Sequence, residues 1–185
     1  MLYAFEEYSR YAEITGYRGV AFQKAEAYLK SHRKQKSDVA LQFFDADLIA
    51  TEEHLYFAVL NALQAFKAKS NCSKSVAVEA MLYASAQRQI QKAIEHIGIK
   101  PESCNLAVAI VGGDEKQIES QLCALSEYFG CAPDGSVLRL TEPKKQGVKA
   151  AFQVTEMEME TQKTPVEAAL VNLIIERMAL LSTQF

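Results

Sequence analysis

The residues able to do chemistry in this chain are few and scattered. Asp45 and Asp47 form a close pair of carboxylates, and His54 follows near the start of the next predicted helix. A catalytic site needs a nucleophile, a base and an orienting group within reach of one another. His32, His54 and His96 lie in no motif that supplies them. The two carboxylates fall in a strand-to-helix turn, where acidic residues ordinarily face solvent. Gly112-Gly113-Asp114 sits after a predicted strand and before a helix, the place where phosphate loops occur. It lacks the lysine and the glycine spacing of such loops, and a tight turn with Asp114 as helix N-cap explains it. Cys72, Cys104, Cys123 and Cys131 show no C-x-x-C spacing. Nor do they read as a disulfide scaffold, so they are taken as stray thiols or small buried hydrophobes. The sequence therefore predicts no catalytic residue, no metal site and no cofactor.

Binding chemistry is better represented. The stretch Ser85 to Ile97 reads as a helix with Ala86, Ile90, Ala93, Ile94 and Ile97 on an apolar stripe. Arg88 and Lys92 stand at i and i+4 on another face, with Gln91 beside them. Lys74 lies in the preceding break, and Lys67 and Lys69 close the helix before it. Arg and Gln bind phosphates and base edges, and Arg stacks on unpaired bases. A solvated polar face explains the same residues, and on residue pattern alone it is the favoured reading.

The last helix differs. From Val166 to Leu181 its only polar residues, Glu167, Asn172, Glu176 and Arg177, are scattered around the axis. A helix apolar nearly all round is buried on more than one side. Either it is a central core helix or part of it faces a partner protein.

The elements that must carry these residues follow from periodicity and punctuation. Two short strands around a turn near Gly16 open the chain. A helix runs from Ala21 to Lys36, with Phe22, Ala25 and Leu29 on one side and a basic end. Val39 to Phe44 reads as a buried strand. Thr51 is a good N-cap for a helix with Leu55, Val59, Leu63 and Phe66 at core spacing. A second helix carries Val76, Val78, Met81 and Leu82. Cys104 to Val111 is another buried strand, and a helix spans Glu115 to Phe129. Val137 to Leu140 reads as a short strand and Pro143 to Ala151 as a short helix. Thr155 to Glu160 fits a strand edge or an extended loop. Thr164-Pro165-Val166-Glu167 reads as a capping box opening the last helix. The consecutive helices between Thr51 and Ile97 break a strict βαβ rhythm. The expected architecture is α/β: a single domain, residues 1–185, with a small mixed β-sheet packed by several helices.

The 185 residues are 49% hydrophobic and 23% charged, enough for one domain with a real core. A formal net charge of -3 argues against a protein that coats nucleic acid broadly, though not against a local basic patch. Met1 to Arg10 has no signal-peptide pattern, and no apolar run matches a membrane span, so a cytoplasmic protein is expected.

Three segments carry a family resemblance. They are Phe44-Asp45-Ala46-Asp47-Leu48-Ile49-Ala50 with His54-Leu55 and Ala58, then Leu82-Tyr83-Ala84-Ser85-Ala86-Gln87-Arg88-Gln89-Ile90 with Ala93-Ile94 and Gly98, and finally Ile175-Glu176-Arg177-Met178-Ala179-Leu180-Leu181. In this order and spacing the chain resembles the small kinase-binding regulatory subunit of the KEOPS tRNA-modification complex. The likeness runs from Val39 onward and is looser between Glu115 and Thr164. It implies a non-catalytic subunit of a complex that makes threonylcarbamoyladenosine beside the anticodon of tRNA. A separate metal-containing transferase subunit does the chemistry, and this subunit meets it only through the complex. The family binds and stimulates a small atypical kinase that acts as an ATPase, and it captures the single-stranded CCA end of tRNA. Carried onto this chain, the RNA contacts fall on Arg88, Gln87 and Gln89, with Lys74, Lys69 and Lys92 as phosphate partners. The kinase contact falls on Leu173, Ile174, Met178 and Leu181. The readings that compete are a protein-only adaptor of the kinase and a stand-alone enzyme using Asp45, Asp47 or His54.

Overall fold

A computed structural model describes residues 1–35 and 37–181. Four strands form one sheet: β1 (Leu2–Phe5), β2 (Arg10–Arg18), β3 (Ala40–Asp45) and β4 (Asn105–Gly112). Their order is β1-β2-β4-β3, and each neighbouring pair is antiparallel. Eight helices accompany them among the described residues: α1 (Phe22–Lys34), α2 (Glu52–Ala68), α3 (Val76–Ser85), α4 (Ile90–Ile97), α5 (Glu115–Phe129), α6 (Glu142–Ala151), α7 (Glu156–Thr161) and α8 (Val166–Leu181).

Strand β4, at the centre of the sheet, is buried on both faces because it is apolar at every second position in both phases. Leu106, Val108 and Ile110 pack with Ala25 and Leu29 of α1 and with Ile118, Leu125 and Phe129 of α5. Ala107, Ala109 and Val111 face the other way, toward Leu55 and Val59 of α2, Met81 of α3 and Ile174 of α8. The expected α/β layering of helices on a small sheet is present, and within that sheet the strands are antiparallel throughout. Among the described residues no helix is long and apolar enough to cross a membrane.

Several local expectations change. Gly16 is inside β2, opposite Ala107, and the hairpin turn lies earlier, at a 3-10 turn Glu6–Tyr8 closed by Ser9 at φ 50°. A Cβ at Gly16 would stand 2.2 Å from Val137 Cγ2 and 2.5 Å from the Leu106 carbonyl oxygen. This glycine marks a close approach, not a turn. Val137 belongs to a 3-10 turn, Gly135–Leu138, and not to a strand; Asp134 starts it by accepting from the Ser136 N–H. Thr155 to Glu160 is neither strand nor loop. It contains α7, opened by a reciprocal capping box between Thr155 and Glu158. Helix α1 ends at Lys34, and Lys36, placed in it from the sequence, lies outside the described residues. Helix α8 begins at Val166, directly after Pro165, and its Glu167 lies 3.8 Å from Lys145.

Candidate nucleic-acid and partner interface

The predicted helix from Ser85 to Ile97 is interrupted at its start. Helix α3 ends at Ser85, and Ala86 takes the left-handed conformation at φ 51°. The Ala86 N–H reaches the Tyr83 carbonyl (2.9 Å) and the Gln87 N–H reaches that of Leu82 (3.0 Å). This is a Schellman-type stop, for which glycine is the usual residue. Gln89 is then the N-cap of α4. Gln87, Arg88 and Gln89 therefore form a linker, and Arg88 does not share a helical face with Lys92. The apolar stripe is also split: Ala93 and Ile97 are buried, whereas Ile90 and Ile94 are 44% and 40% exposed.

The linker sets Arg88 against Leu181, the last described residue of α8. Its Nη2 and Nε donate to the Leu181 carbonyl at 2.8 and 3.3 Å. The guanidinium fork thus places two donors on one carbonyl. Arg88 also borders a cavity of 40 Å³ with Ser70, Cys72, Glu79, Tyr83 and Leu181. The Arg88 linker and the loop after α2 thus meet at one place.

That loop carries two of the other candidate cations, Lys69 and Lys74. Lys69 closes α2 in the left-handed conformation and is exposed. Lys74 is exposed and lines a separate cleft of 370 Å³ with His32, Arg33, Gln42 and the first residues of α3. Lys92 is exposed on α4, where Gln91 bonds to Glu95 (2.8 Å). Lys67 is committed elsewhere, paired with Glu7 at 2.7 Å and lying over the Tyr8 ring. The structure therefore sets Arg88 with Ser70 and Cys72 around one small cavity, and Lys74 with Arg33 around a separate cleft.

Helix α8 resolves its two readings residue by residue. Leu173, Ile174, Met178 and Leu181, expected as kinase contacts, are core residues, none more than 7% exposed. They pack on α2 and α3, so no partner touches them directly in this conformation. The outward face holds Asn172, Glu176, Ala179 and Leu180, with Ile175 half-buried.

The remaining titratable groups are bound into the framework. His54 is fully buried; its Nδ1 accepts from the Ala50 N–H and its Nε2–H donates to the Ala84 carbonyl (2.8 Å). Burial pushes its pKa down to about 4, so the ring is neutral and ties the start of α2 to the end of α3. Asp45 accepts from the Asp47 N–H and from Ser103 Oγ (2.6 Å). Lys144, which sequence reading passed over, is buried beside this turn and donates to the Val137 carbonyl (2.9 Å). Burial lowers its pKa to about 8, against the opposing pull of Asp47 and Asp45. Asp114 caps α5, as expected for a plain turn. Cys72, Cys104 and Cys123 are exposed and Cys131 half-buried, all as free thiols, so they are not small buried hydrophobes. Among the described residues no three metal-ligating side chains cluster.

The fold thus brings the Arg88 linker, the loop after α2 and helix α8 together on one scaffold. Residues 17–182 match the family described as kinase binding protein CGI-121. The chain is also similar to a protein described as regulatory protein Cgi121 from Methanocaldococcus jannaschii. The two are 30% identical over 132 residues, a stretch covering 71% of this chain and 83% of that protein. The chain belongs to the CGI-121 family.

Proposed function

We propose that this chain is a non-catalytic, kinase-binding regulatory subunit of a cytoplasmic KEOPS-type complex that makes threonylcarbamoyladenosine in tRNA. The observation that carries this reading is the family match, which spans the Arg88 linker, the loop after α2 and helix α8 together. In this reading the chain binds the small atypical kinase/ATPase and stimulates it, and a separate transferase subunit is met only through the complex. The kinase rests on the outward side of α8, with Ile175, Glu176 and Leu180. Leu173, Ile174, Met178 and Leu181 set the shape of that surface from beneath.

The second role is capture of the single-stranded CCA end of tRNA. Gln87, Arg88 and Gln89 offer donors to unpaired base edges, and Lys74, Lys69 and Lys92 offer charge to phosphates. A few cations suffice for a single-stranded end, so an acidic chain is no obstacle. The test compares intact tRNA with tRNA lacking CCA, for the wild type and for Lys74→Glu. Binding that needs both the CCA end and Lys74 supports capture. Kinase stimulation without CCA-dependent binding leaves the protein-only adaptor. Turnover by the isolated chain would favour the enzyme reading.

A further inference from the structure

Glu79 is a charged residue in an unusual place. It lies in the first turn of α3 and is 2% exposed. Carboxylates are seldom buried so fully without compensation. Here the compensation is backbone. The Cys72 N–H donates to both carboxylate oxygens at 3.1 Å, and the Ser73 N–H donates to Oε2 at 2.7 Å. The side chain thus reaches back from the helix to grip the loop that precedes it. Ser73 Oγ adds a bond to the Ser75 carbonyl (2.7 Å), and Asn71 Nδ2 one to the Ser73 carbonyl (2.8 Å). Lys74 sits between these tied residues, with its own side chain exposed.

We propose that Glu79 is a positioning residue for RNA capture: by clamping the Cys72 and Ser73 amides it holds Lys74 in one orientation toward a phosphate. The inference rests on the tRNA-binding reading above. One of these amide bonds, from Ser73, is short at 2.7 Å, and two successive amides held by a single buried carboxylate leave the loop little freedom. A cation on a pre-ordered loop loses less freedom on binding than one on a loose loop. The consequence has an unexpected sign. Removing a negative charge close to a phosphate contact strengthens RNA binding if charge alone matters. Loosening the loop weakens it.

The experiment measures binding of CCA-ended tRNA across a salt series for the full chain and its Lys74→Ala, Glu79→Gln and Glu79→Asp variants, with the Lys74→Ala/Glu79→Gln double variant. One lost single-stranded phosphate contact lowers the log–log salt slope by about 0.7, or affinity by about fourfold at physiological salt. Lys74→Ala should show that loss, and Glu79→Gln should match it while staying folded. The double variant should be no worse than either single one. Amide exchange at Cys72 and Ser73 should quicken in Glu79→Gln. If Glu79→Gln does not fold, Glu79→Asp decides, because it keeps the charge and withdraws the carboxylate by one methylene. Wild-type or tighter binding by the folded Glu79 variant, with Lys74→Ala still impaired, overturns the positioning role. No loss in Lys74→Ala, or no binding by the wild type, overturns the role of Lys74 in capture and the positioning role with it.

Discussion

Arg88 and Leu181 are joined across the whole fold: the guanidinium on the α3–α4 linker donates twice to the last described carbonyl of α8, at 2.8 and 3.3 Å. A residue read from the sequence as an RNA contact is thereby also a clasp between two helical segments. Arg88→Ala should cost about 1 kcal/mol, the usual worth of such bonds at a partly exposed site. Arg88→Lys should recover little of it, because an ammonium cannot make the fork. Denaturant unfolding checks both. Any loss of tRNA binding by an Arg88 variant has to be read beside this stability change.

Ala86 offers a test of the helix break by sign. At φ 51° an alanine is strained, and glycine is not. Ala86→Gly should therefore stabilise the protein by about 0.5–1 kcal/mol. In an unbroken helix the same change would destabilise by about 1 kcal/mol. A thermal or denaturant melt of the variant separates the two.

On α8 the buried and outward residues should respond differently. Leu173→Ala or Ile174→Ala leaves a core cavity and should cost about 2–5 kcal/mol. Leu173→Glu should not give a folded protein, because it buries an unpaired charge. Leu180 is 51% exposed, and Leu180→Glu should keep the fold and weaken co-purification with the kinase. Kinase binding unaffected by a folded Leu180→Glu variant would move the contact off this part of α8.

His54 links stability to pH. Its folded pKa of about 4 lies below the ordinary value of 6.5. Well above pH 6.5 the ring is neutral folded or unfolded and the group is indifferent. Between pH 6.5 and 4 the unfolded chain takes up a proton that the folded chain refuses, so stability falls as pH falls. The loss approaches about 3 kcal/mol for this fully buried ring. Unfolding free energies measured across that range should show the decline, and His54→Leu should lack its share of it.

Much of the framework was legible because local chemistry specifies it. Asp114 and Gly130 bracket α5 with a cap and a left-handed stop, and the predicted bounds match. Thr51 does the same for the start of α2. The apolar runs of β3 and β4 are too short for helices and rich in Phe, Val and Ile, which favours buried strands. The break at Ala86 was hidden because alanine is the best helix former and gives no stop signal. Gly16 misled for the converse reason: a glycine that admits a neighbour looks the same in sequence as one that turns the chain.

The apolar character of α8, the family-bearing segments and the residue types of both loops are readable from the chain alone. Which α8 residues are core, that Arg88 reaches Leu181, and that Glu79 grips the loop ahead of it emerge only when the elements pack together. Those outcomes depend on contacts between residues distant in the chain or on which side of a uniformly apolar helix finds a neighbour. Periodicity cannot choose a side when every side is apolar; packing does.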